Sequence, residues 1–209
     1  MLIVGAQGHA VEVLQCLTEA EQAGAVFFDD VTPNLAGKVL GQFPLLRSAA
    51  EAQAYLARTD SRFVLGLGGP GRRRRLAAQF RGWGGQLTSI TAFTAVVSPF
   101  AAVGPGANVM QHTLISPTAV LGEGVLLNAG AAVHHDSVVG DYCEISPGAR
   151  ILGHCRLGQG CWVGAAAVIL PGVVVGPDAI IGAGAIVTRP VEAGTTVVGI
   201  PARLMSYVP

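Results

Sequence analysis

The chain has 209 residues, room for one sizeable domain or two small ones. Its formal net charge is zero and only 12% of residues are charged, so no global field favours nucleic acid or an anionic membrane surface. Hydrophobic residues make up 51% and raise a membrane reading, but the most apolar run, 164–187, is broken by Pro171, Pro177, Asp178 and recurrent glycines, which fits a periodic β structure and no membrane span.

The amino terminus shows no basic leader and no cleavage-like site. Cys16, Cys143, Cys155 and Cys161 form neither a CxxC pair nor a zinc-ligand spacing, so the expectation is a cytoplasmic protein with reduced thiols. In chain order, MLIV reads as a short buried strand, GAQGH as a tight glycine turn and Ala10–Gln22 as an amphipathic helix. AVFFDD is a second strand, SAAEAQAYLAR a helix, RFVLGLG a third strand, and GRRRRLAAQF a helix opening after Pro70. Strand, glycine turn, helix and strand make a βαβ unit, so residues 1–90 are expected to form a small Rossmann-like parallel α/β domain.

A different pattern governs residues 91–209. Every sixth residue from Val97 to Val187 is Ile, Leu or Val, sixteen positions without a break. Four residues after each comes a small or slender side chain, from Ala101 and Thr113 through Ser137 and Cys143 to Ala185. Gly104, Gly122, Gly140, Gly158 and Gly176 recur at eighteen, so three hexapeptides make one turn of a three-sided coil. Stacked strands lie about 4.8 Å apart, and roughly five turns give a rod near 25 Å long whose stability comes from stacking. The tail from Thr188 leaves the register and is expected to cap the rod.

Within the rod, VHHDSVVGD breaks the local rule. Val133 points inward, leaving His134, His135 and Asp136 outward; the slot of His135 is held elsewhere by Pro99, Pro117, Gly153 and Pro171. An exposed imidazole accepts a proton near neutral pH, and Asp136 is placed to orient it. In the first domain, Gly5 and Gly8 depart from GxGxxG but leave helix-start amides that favour an anion, or else a plain turn. Asp29 and Asp30 end a strand where a carboxylate meets a ribose or base, or lies in a solvated loop. Arg72–Arg75 read chiefly as a solvated helix face, with a phosphate grip as the alternative. Arg189 and Arg203 read either as phosphate partners or as surface residues.

Taken together, the GAQGHA turn, the strand ending in Asp29 and Asp30, the His135–Asp136 pair on a coil with VGD, SPGA at 146–149 and the closing GIPAR at 199–203 resemble the bacterial sugar acetyltransferases with hexapeptide repeats. These include nucleotide-amino-sugar N-acetyltransferases and sialic acid O-acetyltransferases. The resemblance implies a left-handed parallel β-helix; periodicity alone does not supply that hand. It implies His135 as general base with Asp136 as partner, and nucleotide-sugar contacts at Ala6, Gln7, Gly8, His9, Asp29, Asp30 and Gly68. Acetyl-CoA would lie between neighbouring rods of a homotrimer, lined at Glu144, Ala165 and Ala183. Many members carry a second histidine where this chain has Glu144, so that carboxylate either faces elsewhere or the donor sits differently. The implied reaction is acetyl transfer to the amine of a nucleotide-linked amino sugar, with sialic acid O-acetylation as the alternative. A metal-dependent hydratase would need three converging histidines, and His112, His135 and His154 occupy different slots of the repeat without evident close pairing, so no metal is expected. A non-catalytic scaffold is the remaining alternative.

Overall fold

The computed structural model describes residues 1–205. Strands β1 (Leu2–Val4), β2 (Val26–Phe28), β3 (Lys38–Val39), β4 (Phe43–Leu46), β5 (Arg62–Leu65) and β6 (Gln86–Leu87) form a sheet of order β3-β4-β2-β1-β5-β6. Its neighbours run parallel except for the antiparallel β3–β4 pair. Helices α1 (His9–Leu14), α2 (Glu19–Ala23), α3 (Ala49–Arg58) and α4 (Pro70–Gly82) accompany it. Leu2, Ile3, Phe27, Phe63, Val64 and Leu65 are fully buried, as strands of a parallel sheet covered on both sides must be.

Two details depart from the sequence reading. The helix expected over Ala10–Gln22 is two helices, because Thr18 opens a new one: its hydroxyl accepts from the Glu21 N–H, and the Glu21 carboxylate accepts from the Thr18 N–H. The β3–β4 hairpin was not anticipated; two of its strand residues are Lys38 and Pro44, which mask a strand in sequence.

From Ile90 onward the chain coils as a three-sided prism of two-residue strands, each paired in parallel with the strand eighteen residues on. Face 1 runs from Ile90–Thr91 through Asn108–Val109, Leu126–Leu127, Glu144–Ile145 and Trp162–Val163 to Ile180–Ile181. Face 2 contains Leu114–Ile115, Ala132–Val133 and Arg150–Ile151; face 3 contains Val120–Leu121, Val138–Val139 and Arg156–Leu157. The coil is a left-handed parallel β-helix.

Of the sixteen six-spaced aliphatic residues, all but Val97 and Val103 are at most 4% exposed; those two, on the first coil, are 36% and 38% exposed. Each fully buried aliphatic side chain contributes roughly 1.5–3 kcal/mol. The small column fits the inner corners, with Ala107, Ser137, Cys143, Cys155 and Cys161 at 0% exposure. Every sixth residue from Gly106 to Gly184 has positive φ, and seven of these corners carry a side chain: His112, Thr118, Asp136, Tyr142, His154, Ala166 and Asp178. The eighteen-spaced glycines have another cause. A Cβ at Gly140 would stand 2.6 Å from the Gln159 nitrogen, and one at Gly158 would stand 2.5 Å from that of Pro177.

The tail caps the far end. Thr196–Val198 pairs with Ile180–Ile181, Arg203–Leu204 closes antiparallel on it, and Val191, Val197 and Ala202 pack against the core. The last four residues of that tail, 206–209, lie outside the described ones. Among the described residues no helix is long and apolar enough to cross a membrane.

The α/β layer sits on face 1 and the edge between faces 3 and 1. Arg73 of α4, expected on a solvated face, is 0% exposed and binds both halves. Its guanidinium donates to the carbonyls of Leu65 and Leu67 at 3.2 and 3.0 Å, and to Gly124 O at 3.1 Å and Asn108 Oδ1 at 3.3 Å in the rod. Burial lowers its pKa to about 10, against the opposing pull of Glu144, so it stays charged at neutral pH. Arg81 and Glu123 make a second tie at 2.6 Å.

Gly140→Ala is expected to destabilise the protein by about 1–3 kcal/mol, since backbone must move to admit the methyl group. Gly71→Ala, where a Cβ meets nothing within 4 Å, should be nearly neutral. Denaturant unfolding of the two variants checks the contrast.

Candidate active site

Asp136 and His154 stand eighteen residues apart on the edge between faces 2 and 3, so the stacking of coils puts one above the other, with Thr118 on the third coil of the same column. His135 occupies the neighbouring slot. Its Nδ1 lies 2.8 Å from Asp136 Oδ2. Thr118 Oγ1 donates to Asp136 Oδ1 at 2.8 Å and accepts from the Asp136 N–H at 2.9 Å. The hydrogen bond to His135, and then the one from Thr118, hold the Asp136 carboxyl below its ordinary pKa. With the imidazole proton on Nδ1, facing the carboxylate, Nε2 keeps its lone pair for a proton from another molecule. The ring is 57% exposed, so that nitrogen can meet one.

Gly153 makes room for the ring. A Cβ there would sit 2.7 Å from His135 Cε1 and 2.8 Å from Nε2. The sequence signal was present, since Gly153 is the one glycine in a slot otherwise held by prolines and His135, but its meaning needed the coil above. His154 also comes close: its ring centroid is 5.1 Å from that of His135, and its Nε2 is 3.7 Å from Asp136 Oδ2. The expectation that these histidines lack close pairing is corrected here; adjacent slots on successive coils are neighbours in space. His112 belongs to a different edge, between faces 1 and 2. His134 is half-buried beside the pair.

The α/β layer has its own cleft of about 450 Å³ at the carboxyl ends of β1, β2 and β5. Ala6, Gln7, Asp29 and Asp30 line it, and so do Arg72 and Arg75 from α4, a position that suits the phosphate-gripping alternative better than a solvated face. Parallel sheets place ligands at this end. Asp29 is committed to its own loop: its carboxylate accepts from the N–H groups of Val31 and Thr32 and from the Thr32 hydroxyl. Burial opposes its ionised form, but these bonds prevail and its pKa is lowered. Asp30 is exposed.

Gly8, His9 and Gly68 do not line this cleft. His9 turns inward, with Nδ1 3.1 Å from Glu12 and Nε2 buried without a hydrogen-bond partner; burial chiefly lowers its pKa. Gly68 and Gly69 abut Glu144, whose Oε2 accepts from the Gly69 N–H at 2.6 Å ahead of α4. Glu144 therefore faces the α/β layer, and a carboxylate suits the start of that helix. Ala165 and Ala183 are exposed and stack on the edge between faces 1 and 2, apart from Glu144. Arg189 and Arg203 share a smaller cleft of about 250 Å³ at the capped end.

The profile of the PglD N-terminal domain matches residues 1–80, and that of the bacterial transferase hexapeptide (six repeats) matches 118–153 and 154–189. Comparison with curated protein sequences gives no match. Among solved structures, the acetyltransferase domain of PglB from Neisseria gonorrhoeae is 30% identical, with 98% of each chain covered and a TM-score of 0.85. GDP-perosamine N-acetyl transferase from Caulobacter crescentus, solved with CoA and GDP-perosamine and with one histidine replaced by alanine, is 27% identical over 99% of this chain and 96% of its own, with a TM-score of 0.88. WeeI from Acinetobacter baumannii is 27% identical over 98% of each chain, with a TM-score of 0.87.

Gly153→Ala should push the His135 ring aside rather than the backbone. The His135 Cε1–H resonance is expected to shift while stability changes by less than about 0.5 kcal/mol; an unmoved resonance would show that the ring does not rest on Gly153. An α/β layer with a cleft at its strand ends, a rod with a His–Asp pair on its outer edge, and full-length likeness at 30% identity together make this chain a member of the bacterial sugar acetyltransferases with hexapeptide repeats, an acyltransferase.

Proposed function

We propose that the protein transfers an acetyl group from acetyl-CoA to the amine of a nucleotide-linked amino sugar, by direct attack of the amine on the thioester. The observation that carries this reading is the 2.8 Å contact between His135 Nδ1 and Asp136 Oδ2 on an exposed edge. Such a pair holds the imidazole in the tautomer that accepts a proton at Nε2, which is what an attacking amine must lose. His135 takes that proton, the thioester C–S bond breaks, and CoA leaves as a thiolate or takes the proton on; Asp136, itself oriented by Thr118, is the partner of His135. Holding donor and acceptor together supplies much of the remaining rate.

No acyl-enzyme is invoked. Cys143, Cys155 and Cys161 point into the rod, where their thiols donate to the carbonyls of Gly158, Leu170 and Gly176. Cys16, the least buried cysteine, has its pKa pushed up to about 11, chiefly by burial.

The cleft is assigned to the nucleotide sugar: Ala6 and Gln7 at the glycine turn, Asp30 for a ribose or base hydroxyl, and Arg72 and Arg75 for the diphosphate. Gly8, His9, Asp29 and Gly68 shape the surrounding backbone. Acetyl-CoA is assigned to the edge bearing Ala165 and Ala183, where small side chains admit a long thin cofactor. The ligands in the structures of the Caulobacter enzyme, CoA and GDP-perosamine, support both assignments. A homotrimer is the assembly we propose for this prism. Within one chain the α/β layer covers face 1, whereas His135 stands on the opposite edge, between faces 2 and 3, so base and cleft meet only when a second copy supplies one of them. The 1–90 and 91–209 halves thus act as acceptor-binding and catalytic units across the interface. Acetyl-CoA supply places the reaction in the cytoplasm.

Release of CoA across UDP-, GDP- and dTDP-linked amino sugars, with free sialic acid as the O-acetylation arm, tests the reading. One nucleotide amino sugar should support turnover, and His135→Ala should lower kcat by about 10²–10⁴ with smaller changes in KM. Full activity of His135→Ala, or turnover with sialic acid alone, would overturn it. Light scattering should give a trimer.

A further inference from the structure

We propose that the same edge is a capture site for a borderline divalent cation such as Zn²⁺, held by His135, Asp136 and His154, and that occupancy silences the base. The effect on activity rests on the reading of His135 given above; the binding does not.

One donor atom from each of the three residues falls within a single sphere, all lying within 4.8 Å of one another. His135 Nδ1 and His154 Nε2 approach Asp136 Oδ2 to 2.8 and 3.7 Å. Zinc bonds to nitrogen and carboxylate oxygen run to about 2.0–2.2 Å, so a tetrahedral site wants donors about 3.3 Å apart. The two observed separations bracket that value. All three side chains are exposed, at 57%, 44% and 65%, so each is free to rotate by the half-ångström or so that closure requires, and solvent reaches the remaining position.

His154 is the unexplained member. It holds a corner with φ of 62°, where the next coil in the column uses Gly172, and a bulky residue in left-handed backbone costs energy. The proposed transfer reaction needs no second imidazole there. A cation site does: with His135 and Asp136 alone the set has two donors, and His154 makes it two imidazoles and a carboxylate, which suits zinc and cobalt over magnesium.

Occupancy acts on the proton. In the free pair Nδ1–H faces Asp136 and Nε2 is the acceptor. A metal bound at Nδ1 displaces that proton, and the neutral imidazole then carries its one proton on Nε2, which becomes a donor. The ring no longer accepts a proton from the amine. The metal acts here as a competitor of the proton and takes no part in acetyl transfer.

The test uses the full-length protein in metal-free buffer, titrated with Zn²⁺ by calorimetry and with Co²⁺ by visible absorption, alongside His154→Gly, which installs the residue found one coil on. Wild type should bind one ion per chain with cobalt ligand-field bands in the visible. His154→Gly should bind about tenfold more weakly or worse. In the CoA-release assay each protein is read against its own zinc-free rate, and His154→Gly should need correspondingly more zinc for the same fractional inhibition, while Mg²⁺ inhibits neither protein. Both proteins meet the same CoA thiol, so the comparison cancels zinc lost to it. Equal zinc binding by the two proteins, absence of binding to wild type, or inhibition of both at the same zinc concentration would overturn the proposal. If no acceptor supports CoA release in either protein, the transferase reading is what fails, and calorimetry still decides the cation site.

Discussion

Successive coils of this rod approach so closely that certain edge positions have no space for a Cβ, and the rest of the molecule is arranged around that approach. Gly122, Gly140 and Gly158 each sit against the backbone or side chain of the coil above. Once the spacing is fixed, residues eighteen apart are neighbours, and a column of corner residues becomes a line of functional groups in contact. Thr118, Asp136 and His154 form such a column, and the amide ladder that stacks the coils, including His154 N–H to His135 O at 3.0 Å, also sets their separations. The scaffold and the chemistry share one set of hydrogen bonds.

The second constraint is the buried charge at the junction. Arg73 reaches carbonyls of β5 and its following loop on one side and Gly124 and Asn108 of the rod on the other. Asn108 Nδ2 donates to Leu65 O at 2.8 Å, and Glu144 holds the Gly69 N–H. Each such group left unpaired in the interior costs about 1–3 kcal/mol, so the α/β layer is held in one orientation. That matters because α4 supplies both the junction residue Arg73 and the cleft residues Arg72 and Arg75. Three positions of one helix turn divide between holding the layer in place and lining its cleft.

The period of six and the His–Asp pair were legible in the sequence because they follow from local spacing, which the fold preserves without insertion. The division of Ala10–Gln22 was legible in principle, since Thr18 and Glu21 have capping-box spacing, but the amphipathic pattern running through them hid it. Arg73 was not legible: in a run of four arginines nothing local marks the one whose partners are Gly124 and Asn108, far along the chain. His154 and Gly153 lie between. Their columns can be counted from the repeat, yet the contact of His135 with both depends on how far an imidazole reaches across to the next coil. Glu144 likewise reads as an odd residue in sequence and becomes intelligible once Gly69 is seen above it.

The proposed active site joins one chain's cleft to another chain's imidazole, because the cleft belongs to the α/β layer over face 1 and the imidazole to the edge between faces 2 and 3. Subunit mixing tests it most directly. His135→Ala protein and a cleft variant, Asp30→Ala with Arg75→Ala, are each expected to be nearly inactive alone. Mixed oligomers prepared from both should regain acetyl transfer, since some interfaces then pair an intact imidazole with an intact cleft. Mixed oligomers no more active than either parent would contradict the account.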